Sequence, residues 1–507
     1  MYNESSDIYY EEYAVMKTYY TYLRAFVQEQ PDRMMIGWDD KWMTNSQILE
    51  RVESTAYFLR QQGVKKGDLV AIMMSNSVQS TITLLALQSI NTLAVLCDYR
   101  HPVEAYLQDC ITEIPASYII TNEETTRGSW DGEQLVFIDR ATGKKIPMEV
   151  LDLPSNPCPE EGDVDPTAPG FIIFTSGSTG KRKAVMLSQY GIISTLHANA
   201  ELAYYGPYDI ALGLLPMDHI FGLILMSGTW VLRHAIYLAR DNKMATILSA
   251  IQEQRVSRLN GTPQLFLGLA AMKDQFDLTS LKAGLVGGAP CTPDQFCKIE
   301  ESLGVTLSNI YAMTEYTHIA VSDWRDSRQI RAINNGKFCA MNQGKILRTD
   351  GTEAAVGEVG EICVDGPARM VGYYGEPESF RGMIHTGDLG MVNEEGYLTV
   401  CGRLKDIIIR NGNNLAPRRI EEAILSVPGV KSVCVKGVPN QQVGEVPCAM
   451  VVAPGVTREA IEAHISGLLN KNELPFGYLF VVELPVLGIG KPDKQGIQKT
   501  LTQHFQA

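Results

Sequence analysis

Apolar residues follow two patterns in the first part of the chain, one with helical spacing and one of short continuous runs. Residues 14–65 show helical spacing in two segments, and we expect Ser46 to cap the second helix and Gly63 to end it. The continuous runs are typical of buried strands and lie at residues 69–74, 93–96, 117–120, 135–138 and 171–174. A helix is expected at residues 78–90, between the first two runs. This alternation predicts a layered α/β domain with largely parallel strands.

A second α/β series follows, in which three short apolar runs each lead into a polar segment. We expect a helix at residues 189–203 and strands at residues 211–215, 285–286 and 307–310. The polar segments after these strands are residues 216–222, 287–290 and 311–315. Because ligands bind beyond the carboxyl ends of the strands in an open α/β sheet, we expect the three segments to line one crevice.

The last third of the chain has a different pattern. From residue 357, short alternating strands separated by glycine turns predict an antiparallel β subdomain. Further on, strands at residues 406–410, 433–437 and 449–452 and helices at residues 420–425 and 458–469 are expected. This C-terminal stretch of about a hundred residues has the size of a small domain.

The composition narrows the class of protein. A length of 507 residues predicts at least two domains, and a net charge of −14 argues against a nucleic-acid-binding surface. The ten cysteines are scattered without a C-x-x-C pair, which favours reduced thiols over a disulfide framework or a zinc site. Because the chain has no apolar run of about 18 residues and begins with a polar, acidic segment, we expect no integral membrane association and a cytoplasmic location.

The strand expected at residues 171–174 leads into a loop of hydroxyls and glycines, TSGSTG at residues 175–180, with Lys183 close behind. Glycines let backbone N–H groups approach an anion, hydroxyls donate hydrogen bonds and a lysine balances charge, so the combination suits a polyphosphate. The spacing is neither that of a Walker loop nor G-x-G-x-x-G, so a dinucleotide fold is not indicated. By itself the stretch also fits a polar loop between two strands.

Four more motifs follow this loop: YAMTE at 311–315, TGD at 386–388, Gly402-Arg403 with Lys405, and PVLGIGK at 485–491. Taken singly, each also fits a plainer interpretation, such as a capped strand end, a common turn or exposed charges. Together, in this order and over nearly the whole chain, they resemble the adenylate-forming superfamily of acyl- and aryl-CoA synthetases, peptide-synthetase adenylation domains and luciferases.

The resemblance implies a fold and a set of residue roles. The implied fold class is α/β, with a large N-terminal domain of layered α/β subdomains plus a β subdomain (1–402) and a small mobile α+β C-terminal domain (403–507). Lys405 would be the hinge, Glu315 would hold Mg²⁺, and Gly412 would lie at the thiol access. Catalytic roles fall to Lys491, Thr314 and His219. ATP or AMP would be bound by Thr175, Ser176, Gly177, Ser178, Thr179, Gly180, Lys183, Gly288, Ala289, Pro290, Tyr311, Thr314, Asp388 and Arg403.

The resemblance also implies a two-step reaction. A carboxylate would attack the α-phosphorus of MgATP, and after the small domain rotates, a thiol would displace AMP. Ile220 stands where amino-acid-activating relatives typically have an Asp, so we expect an acid without an α-amino group. Asp218 should point away from the site if this segment is extended. The expected pocket lining is His219, Ile220, Phe221, Gly287 and Ala312.

The acceptor thiol stays open at this point. The expected cofactors and co-substrates are ATP, Mg²⁺ and CoA, but Arg418 and Arg419 form a basic patch that could attract either CoA or an acidic carrier protein. The first hypothesis is an acid–CoA ligase, and the second is a stand-alone enzyme that loads the phosphopantetheine of a carrier protein. A third, a non-catalytic nucleotide-binding relative, is disfavoured by the presence of Lys491, Glu315 and Asp388 together.

Overall fold

In the computed structural model the chain forms two compact units. The first consists of Met1–Gln343 and Val364–Ile384, and the second of Gly344–Cys363 and His385–Ala507. The predicted boundary between residues 402 and 403 and the hinge at Lys405 concern domain motion and stay predictions. The residues that the structure describes are 17–98, 114–122, 135–156, 164–176, 182–200, 202–203, 206, 209–376, 382–485 and 492–505.

α-Helices occur in both units. Those of the first unit are α1 (Tyr19–Glu29), α2 (Asn45–Gln61), α3 (Val78–Ser89), α4 (Gln189–Ala200), α5 (Ile220–Val231), α6 (Met244–Glu253), α7 (Pro263–Met272), α8 (Pro293–Leu303) and α9 (Arg328–Ile333). Those of the second unit are α10 (Pro417–Leu425), α11 (Arg458–Ile465) and α12 (Lys494–Phe505). Short 3₁₀ helices lie at Lys273–Gln275 and Leu404–Asp406.

Strands make up four sheets. In chain order they are β1 (Met34–Trp38), β2 (Lys41–Thr44), β3 (Leu69–Met73), β4 (Leu93–Leu96), β5 (Tyr118–Asn122), β6 (Leu135–Asp139), β7 (Lys145–Met148), β8 (Pro169–Ser176), β9 (Arg182–Ser188), β10 (Ile210–Gly213), β11 (Ala235–Leu238), β12 (Arg258–Gly261), β13 (Ala283–Val286), β14 (Thr306–Met313), β15 (Tyr316–Val321), β16 (Lys337–Phe338), β17 (Gln343–Leu347), β18 (Gly360–Asp365), β19 (Gly372–Tyr373), β20 (Ile384–Val392), β21 (Leu398–Arg403), β22 (Ile408–Arg410), β23 (Asn413–Leu415), β24 (Ser432–Asn440), β25 (Gly444–Val452) and β26 (Gly477–Phe480).

The first unit is built on two mixed sheets. One has nine strands in the order β16-β15-β14-β13-β12-β10-β11-β1-β2, and the other has eight in the order β19-β9-β8-β4-β3-β5-β6-β7. In both, the central strands are parallel and the outer strands antiparallel. The mixed α/β fold class is therefore confirmed, and the expected parallel pairing describes the centre of each sheet.

Apolar side chains between the sheets and their helices form the core. In the nine-stranded sheet, Leu212, Leu259 and Leu307 are fully buried beside Phe266 of α7 and Phe296 of α8. Burying a side chain of this size contributes about 1.5–3 kcal/mol relative to leaving it exposed. Continuous apolar runs succeed as strand signals here because a central parallel strand is covered by helices on both faces.

Two helices were expected within residues 14–65, and α1 and α2 confirm them, but the segment between them is not helical. Strands β1 and β2 form a hairpin between α1 and α2, with Asp39 and Asp40 at φ angles of 41° and 59°. Positive φ at both central residues is the conformation that a tight two-residue hairpin turn requires, and Asp tolerates it better than most residues.

The cap of α2 also differs from the prediction. Thr44 caps the helix, since its hydroxyl accepts from the Gln47 amide while the Gln47 side chain accepts from the Thr44 amide. Ser46 instead donates to the Pro31 carbonyl at 3.1 Å. Gly63, at a φ of 94°, follows the C-cap residue Gln62, as expected of a helix-ending glycine.

The second unit contains the sheet β17-β18-β20-β21 and a five-stranded sheet in which β25 is flanked by β22, β24 and β26. A strand was predicted at residues 406–410, but residues 404–406 form a 3₁₀ turn before β22. Asp406 in that turn binds Lys436 at 2.8 Å and Lys494 at 2.6 Å. Burial raises the pKa of Asp406, but these two ammonium groups outweigh it and hold the pKa at about 2. The start of α12 is thereby tied to the turn.

Among the described residues, none of the helices combines the length and the apolar character needed to cross a bilayer.

Candidate active site

The three predicted polar segments lie at the carboxyl ends of strands in the nine-stranded sheet. The chain leaves β10 towards β11 on one side and leaves β12 towards β13 on the other, although β10 and β12 are parallel neighbours. Such a reversal opens a crevice beyond the carboxyl ends of the strands. Residues 214–219 follow β10 and residues 287–290 follow β13, while residues 311–315 span the end of β14 and the turn after it.

The segment after β10 is a turn that ends in a capped helix. The His219 amide donates to the Pro216 carbonyl at 3.1 Å, so the segment is not extended, and the alternation argument that placed Asp218 away from the site does not apply. His219 is the N-cap of α5, and its Nδ1 accepts from the Phe221 amide at 3.3 Å. This bond assigns the ring proton of neutral His219 to Nε2.

Asn76, which follows β3 in the other sheet, holds this turn from outside. Its Nδ2 donates to the Leu215 carbonyl at 2.6 Å, and its Oδ1 accepts from the Met217 amide at 3.0 Å. The side chain is only 7% exposed. Sequence reasoning missed Asn76, although its place just past the carboxyl end of a predicted strand is the same signal that identified the other segments.

Close packing fixes the start of α5. A Cβ on Gly222 would lie 2.0 Å from the Pro216 carbonyl oxygen, so only glycine lets the turn and the helix approach this closely. Ile220 is the first residue of α5 and is 4% exposed. Phe221 is half-buried and packs against a buried cluster that includes Leu285 of β13 and Ile310 of β14.

The two glycines after β13 have different structural roles. The Gly287 amide donates to the Gly261 carbonyl at 3.1 Å, and a Cβ on Gly287 would lie 2.4 Å from Cγ2 of Ile310. Gly287 is therefore a packing glycine. Gly288 is exposed and has a φ of 74°, a left-handed conformation that turns the backbone out of the sheet. Ala289 and Pro290 continue this turn, half-buried and exposed respectively.

Strand β14 runs further than predicted. The expected strand ended at residue 310, but Tyr311, Ala312 and Met313 continue it, paired with the antiparallel β15. The turn to β15 consists of Thr314 and Glu315. The hairpin places two polar side chains of the motif at its tip, while Ala312 is exposed.

Glu315 is linked through Tyr373 to the strand that follows the glycine-rich loop. The Tyr373 hydroxyl donates to Oε1 of Glu315 at 3.0 Å. Nζ of Lys183 lies 4.5 Å from the centre of the Tyr373 ring. Burial and the adjacent Glu315 carboxylate both raise the pKa of Tyr373, so its hydroxyl stays protonated and donates. Sequence reasoning missed Tyr373, because no local pattern marks it.

The glycine-rich loop itself joins β8 and β9. Thr175 pairs with Lys183 and Ser176 with Arg182 across the antiparallel hairpin. Four predicted phosphate-binding residues at its tip lie outside the described residues: Gly177, Ser178, Thr179 and Gly180. After the loop, Lys183 is the first lysine among the described residues, and it lies near the loop end of the hairpin.

In the second unit, Asp388 and Arg403 face each other on β20 and β21. They are cross-strand partners, and Nε of Arg403 lies 3.0 Å from Oδ1 of Asp388. The Asp388 side chain is 10% exposed and that of Arg403 is 54% exposed. The Thr386 hydroxyl donates to the Ile362 carbonyl at 2.8 Å, which fixes the turn before Asp388 to the neighbouring strand.

The remaining predicted residues of this unit lie on turns. Lys405 is exposed within the 3₁₀ turn, and Gly412, at a φ of 76°, forms the tip of the β22–β23 hairpin together with Asn411, at 50°. Lys491 lies outside the described residues. The predicted basic patch is paired with acids, since Arg418 binds Glu422 at 2.9 Å and Arg419 binds Glu473 at 3.0 Å.

Two known protein-family models match the chain. The AMP-binding enzyme family matches residues 23–374, and the C-terminal domain of AMP-binding enzymes matches residues 419–491. The chain is 30% identical over 471 residues to 2-succinylbenzoate–CoA ligase of Bacillus cereus, covering 91% of this chain and 94% of that protein. It is 26% identical over 518 residues to acyl-CoA ligase sidI of Aspergillus fumigatus, covering 92% and 88%.

The fold is shared with solved structures. ATP-bound MatB from Rhodopseudomonas palustris superposes with a TM-score of 0.82 at 22% identity, over 96% of this chain and 99% of that one. The first family model spans more than half of the chain, and the motifs lie within the two matched regions or between them. The chain therefore belongs to the AMP-binding enzyme family, the adenylate-forming superfamily.

Proposed function

We propose that this protein is an AMP-forming carboxylic acid–CoA ligase. The observation that carries the proposal is the set of polar segments at one crevice edge, with the Glu315 carboxylate held beside the strand of Lys183. Relatives that match nearly the whole chain support it, because they bear the names acyl-CoA ligase and 2-succinylbenzoate–CoA ligase.

In the first half-reaction, a carboxylate oxygen attacks the α-phosphorus of MgATP. An O–P bond forms, the bond between the α- and β-phosphates breaks, and pyrophosphate leaves with the bonding electrons. The nucleophile is already ionised near neutral pH, so the site has to neutralise charge and align the reactants rather than remove a proton. We assign this work to Lys491, Lys183 and Thr314, with Glu315 as the oxygen ligand that suits the Mg²⁺ of the substrate.

In the second half-reaction, the sulfur of CoA attacks the acyl carbonyl. A C–S bond forms, the bond to AMP breaks, and the thiol proton is released. We assign the ribose hydroxyls of the adenylate to Asp388, since a carboxylate offers only acceptors to a diol. Arg403 pairs with Asp388 and orients its carboxylate. Rotation about Lys405 between the two steps remains part of the proposal.

The acid substrate is proposed to lack an α-amino group. Ile220 offers neither charge nor hydrogen bond, and Phe221 adds an aromatic face at the same edge. A buried ammonium group without a partner would cost several kcal/mol, so an apolar lining selects against amino acids. His219, with its proton on Nε2, can donate one hydrogen bond to a carboxylate oxygen.

A substrate screen tests the proposal. Pyrophosphate release is measured with fatty, aromatic, dicarboxylic and amino acids, and AMP and thioester formation are then measured with CoA. We expect at least one acid without an α-amino group to give CoA-dependent AMP release and a stable acyl-CoA. Pyrophosphate release confined to amino acids, or no turnover with any class, would contradict the proposal.

The same assay separates the carrier-protein alternative. An enzyme that loads a carrier would release AMP with a phosphopantetheinylated protein and not with CoA. The pairing of Arg418 with Glu422 and of Arg419 with Glu473 lowers the positive potential that could attract either CoA or an acidic carrier. We place CoA first because the relatives bear the names of CoA ligases.

Asn76 is predicted to set the affinity for the acid through the turn that carries His219. In Asn76→Ala, the Leu215 carbonyl and the Met217 amide lose their partner, which costs about 1–3 kcal/mol for each buried group. We expect KM for the acid to rise roughly tenfold, equivalent to about 1.4 kcal/mol, with little change in KM for ATP. Initial-rate kinetics with each substrate varied in turn measure this.

Asn45→Ala is a matched control for this prediction. Asn45 is also buried and its Nδ2 donates to the Gln30 carbonyl at 2.7 Å, but it lies at the start of α2, away from the turn. Both variants should lower the midpoint of thermal unfolding, and only Asn76→Ala should change KM for the acid. An equal change in both variants would show that Asn76 acts through general stability.

A further inference from the structure

Three potential metal ligands of different types meet on two neighbouring strands of the second unit. Glu361 and Cys363 are two residues apart on β18, and His385 is on the adjacent β20. One ligand atom from each residue lies within 4.8 Å of the other two. Nδ1 of His385 is 2.8 Å from Oε2 of Glu361 and 3.4 Å from Sγ of Cys363.

These separations are close to those of a tetrahedral site. Zinc bonds of about 2.3 Å to sulfur and about 2.0 Å to nitrogen, at a tetrahedral angle, put the two ligand atoms about 3.5 Å apart. The observed separation of sulfur and nitrogen is 3.4 Å. The carboxylate oxygen would have to move about 0.5 Å from Nδ1, since a zinc–oxygen bond of about 2.0 Å requires roughly 3.3 Å.

We propose that Glu361, Cys363 and His385 form a binding site for a borderline-soft divalent cation, Zn²⁺ in the first place. Thiolate, imidazole and carboxylate together favour Zn²⁺ or Co²⁺ over Mg²⁺, which prefers oxygen ligands alone. Three protein ligands leave the fourth position to water. The scattered cysteines argued against a zinc site, and the proposal departs from that expectation because this site needs only one cysteine, with Glu361 from the same strand and His385 from the neighbouring strand as the other two ligands.

Binding requires two proton rearrangements that the site allows. The cation displaces the Cys363 thiol proton to solvent. The His385 ring must carry its proton on Nε2, leaving Nδ1 to the metal. The His385 side chain is 62% exposed and Cys363 is fully buried, so the cation has to enter from the side of His385.

The site is coupled to the turn that carries Asp388. The Gly387 amide donates to Oε1 of Glu361 at 3.0 Å, and the Asp388 amide donates to the Thr386 hydroxyl at 3.1 Å. Movement of Glu361 towards a metal therefore displaces the backbone directly before Asp388. We expect bound Zn²⁺ to raise KM for ATP, and this consequence alone rests on the proposed ligase function.

Cobalt substitution tests the site without any activity assay. Untagged, chelator-treated protein is titrated with Co²⁺, and the thiolate-to-cobalt absorption band and the bound stoichiometry are recorded. We expect one Co²⁺ per chain with a charge-transfer band, displaced by Zn²⁺. The band should be lost in Cys363→Ser. In His385→Ala the affinity for Co²⁺ should fall at least tenfold. Cys401→Ser and His464→Ala are matched controls, since they remove a cysteine on the next strand and an exposed histidine elsewhere in the unit.

Two results would overturn the proposal: no band in the unaltered protein at stoichiometric Co²⁺, or a band that persists in both Cys363→Ser and His385→Ala. If Cys363→Ser fails to fold, His385→Ala at its exposed position still decides the question by the loss of affinity. A metal site that forms while no acid is activated would refute the ligase function and leave the site standing.

Discussion

Replacing Lys491 with alanine is expected to abolish formation of the acyl-adenylate and to spare transfer of a supplied acyl-adenylate to CoA. The lysine is assigned to neutralise the repulsion between the carboxylate and the α-phosphate in the first step only. Loss of one preorganised charge-stabilising donor lowers a rate by about 10²- to 10³-fold. Pyrophosphate release measures the first step, and thioester formation from a synthetic acyl-adenylate measures the second.

Lys499→Ala is the matched control for this variant. Lys499 is an exposed lysine of α12, on the helix that follows the Lys491 segment, and its removal should leave both half-reactions unchanged. The start of that helix is anchored by the ion pair of Lys494 with Asp406. Persistence of adenylation in Lys491→Ala, or equal loss of both half-reactions, would show that Lys491 does not have the assigned role.

The parts of the site that sequence alone predicted are those with a local signature. The strand before the glycine-rich loop was expected at residues 171–174, and β8 covers it from Pro169 to Ser176. The left-handed Gly288 follows its strand as expected, because backbone approach and turn geometry are encoded within a few residues. The capping pair Thr44 and Gln47 also had a local signature, S/T-x-x-E/Q, which the choice of Ser46 overlooked.

Contacts between residues far apart in the chain could not be predicted from the sequence. Asn76 and Leu215 are 139 positions apart, and Glu315 and Tyr373 are 58 positions apart. Each pair depends on how sheets and strands come together, which hydrophobic periodicity does not specify. The turn at residues 216–219 could not be predicted for the same reason, since the bonds from Asn76 that hold it come from another sheet.

The position of Ile220 shows how one contact changes a functional argument. From the sequence, the argument against an amino-acid substrate rested on the apolar side chain of Ile220. Asp218 was set aside because an extended segment would point its side chain away from the site. The structure replaces that alternation with a turn, so the argument now depends on Ile220 at the start of α5 and on the cap bond of His219. The inference on substrate class stays a prediction, and the amino-acid arm of the screen tests it directly.

Glu315→Gln is expected to lower kcat/KM for MgATP by about 10²-fold and to raise the Mg²⁺ concentration needed for half-maximal rate. The amide keeps an oxygen that can accept from the Tyr373 hydroxyl, so the hairpin tip should stay in place while the negative charge is lost. A hard divalent cation binds a neutral amide oxygen more weakly than a carboxylate. Initial rates of pyrophosphate release over a range of Mg²⁺ at fixed ATP measure the shift.

Tyr373→Phe separates the charge of Glu315 from its orientation. This variant keeps the ring beneath Lys183 and the carboxylate, and removes only a hydrogen bond to a charged group, worth about 1.5–3 kcal/mol. Much of that loss can be recovered by water at the half-buried tip, so we expect a Mg²⁺ requirement raised by severalfold at most. If Tyr373→Phe were as impaired as Glu315→Gln, the role of the pair would be to hold the β14–β15 turn to β19. If neither variant changed the Mg²⁺ dependence, the metal would bind elsewhere, because a carboxylate that contacts the cation cannot be neutralised without weakening its binding.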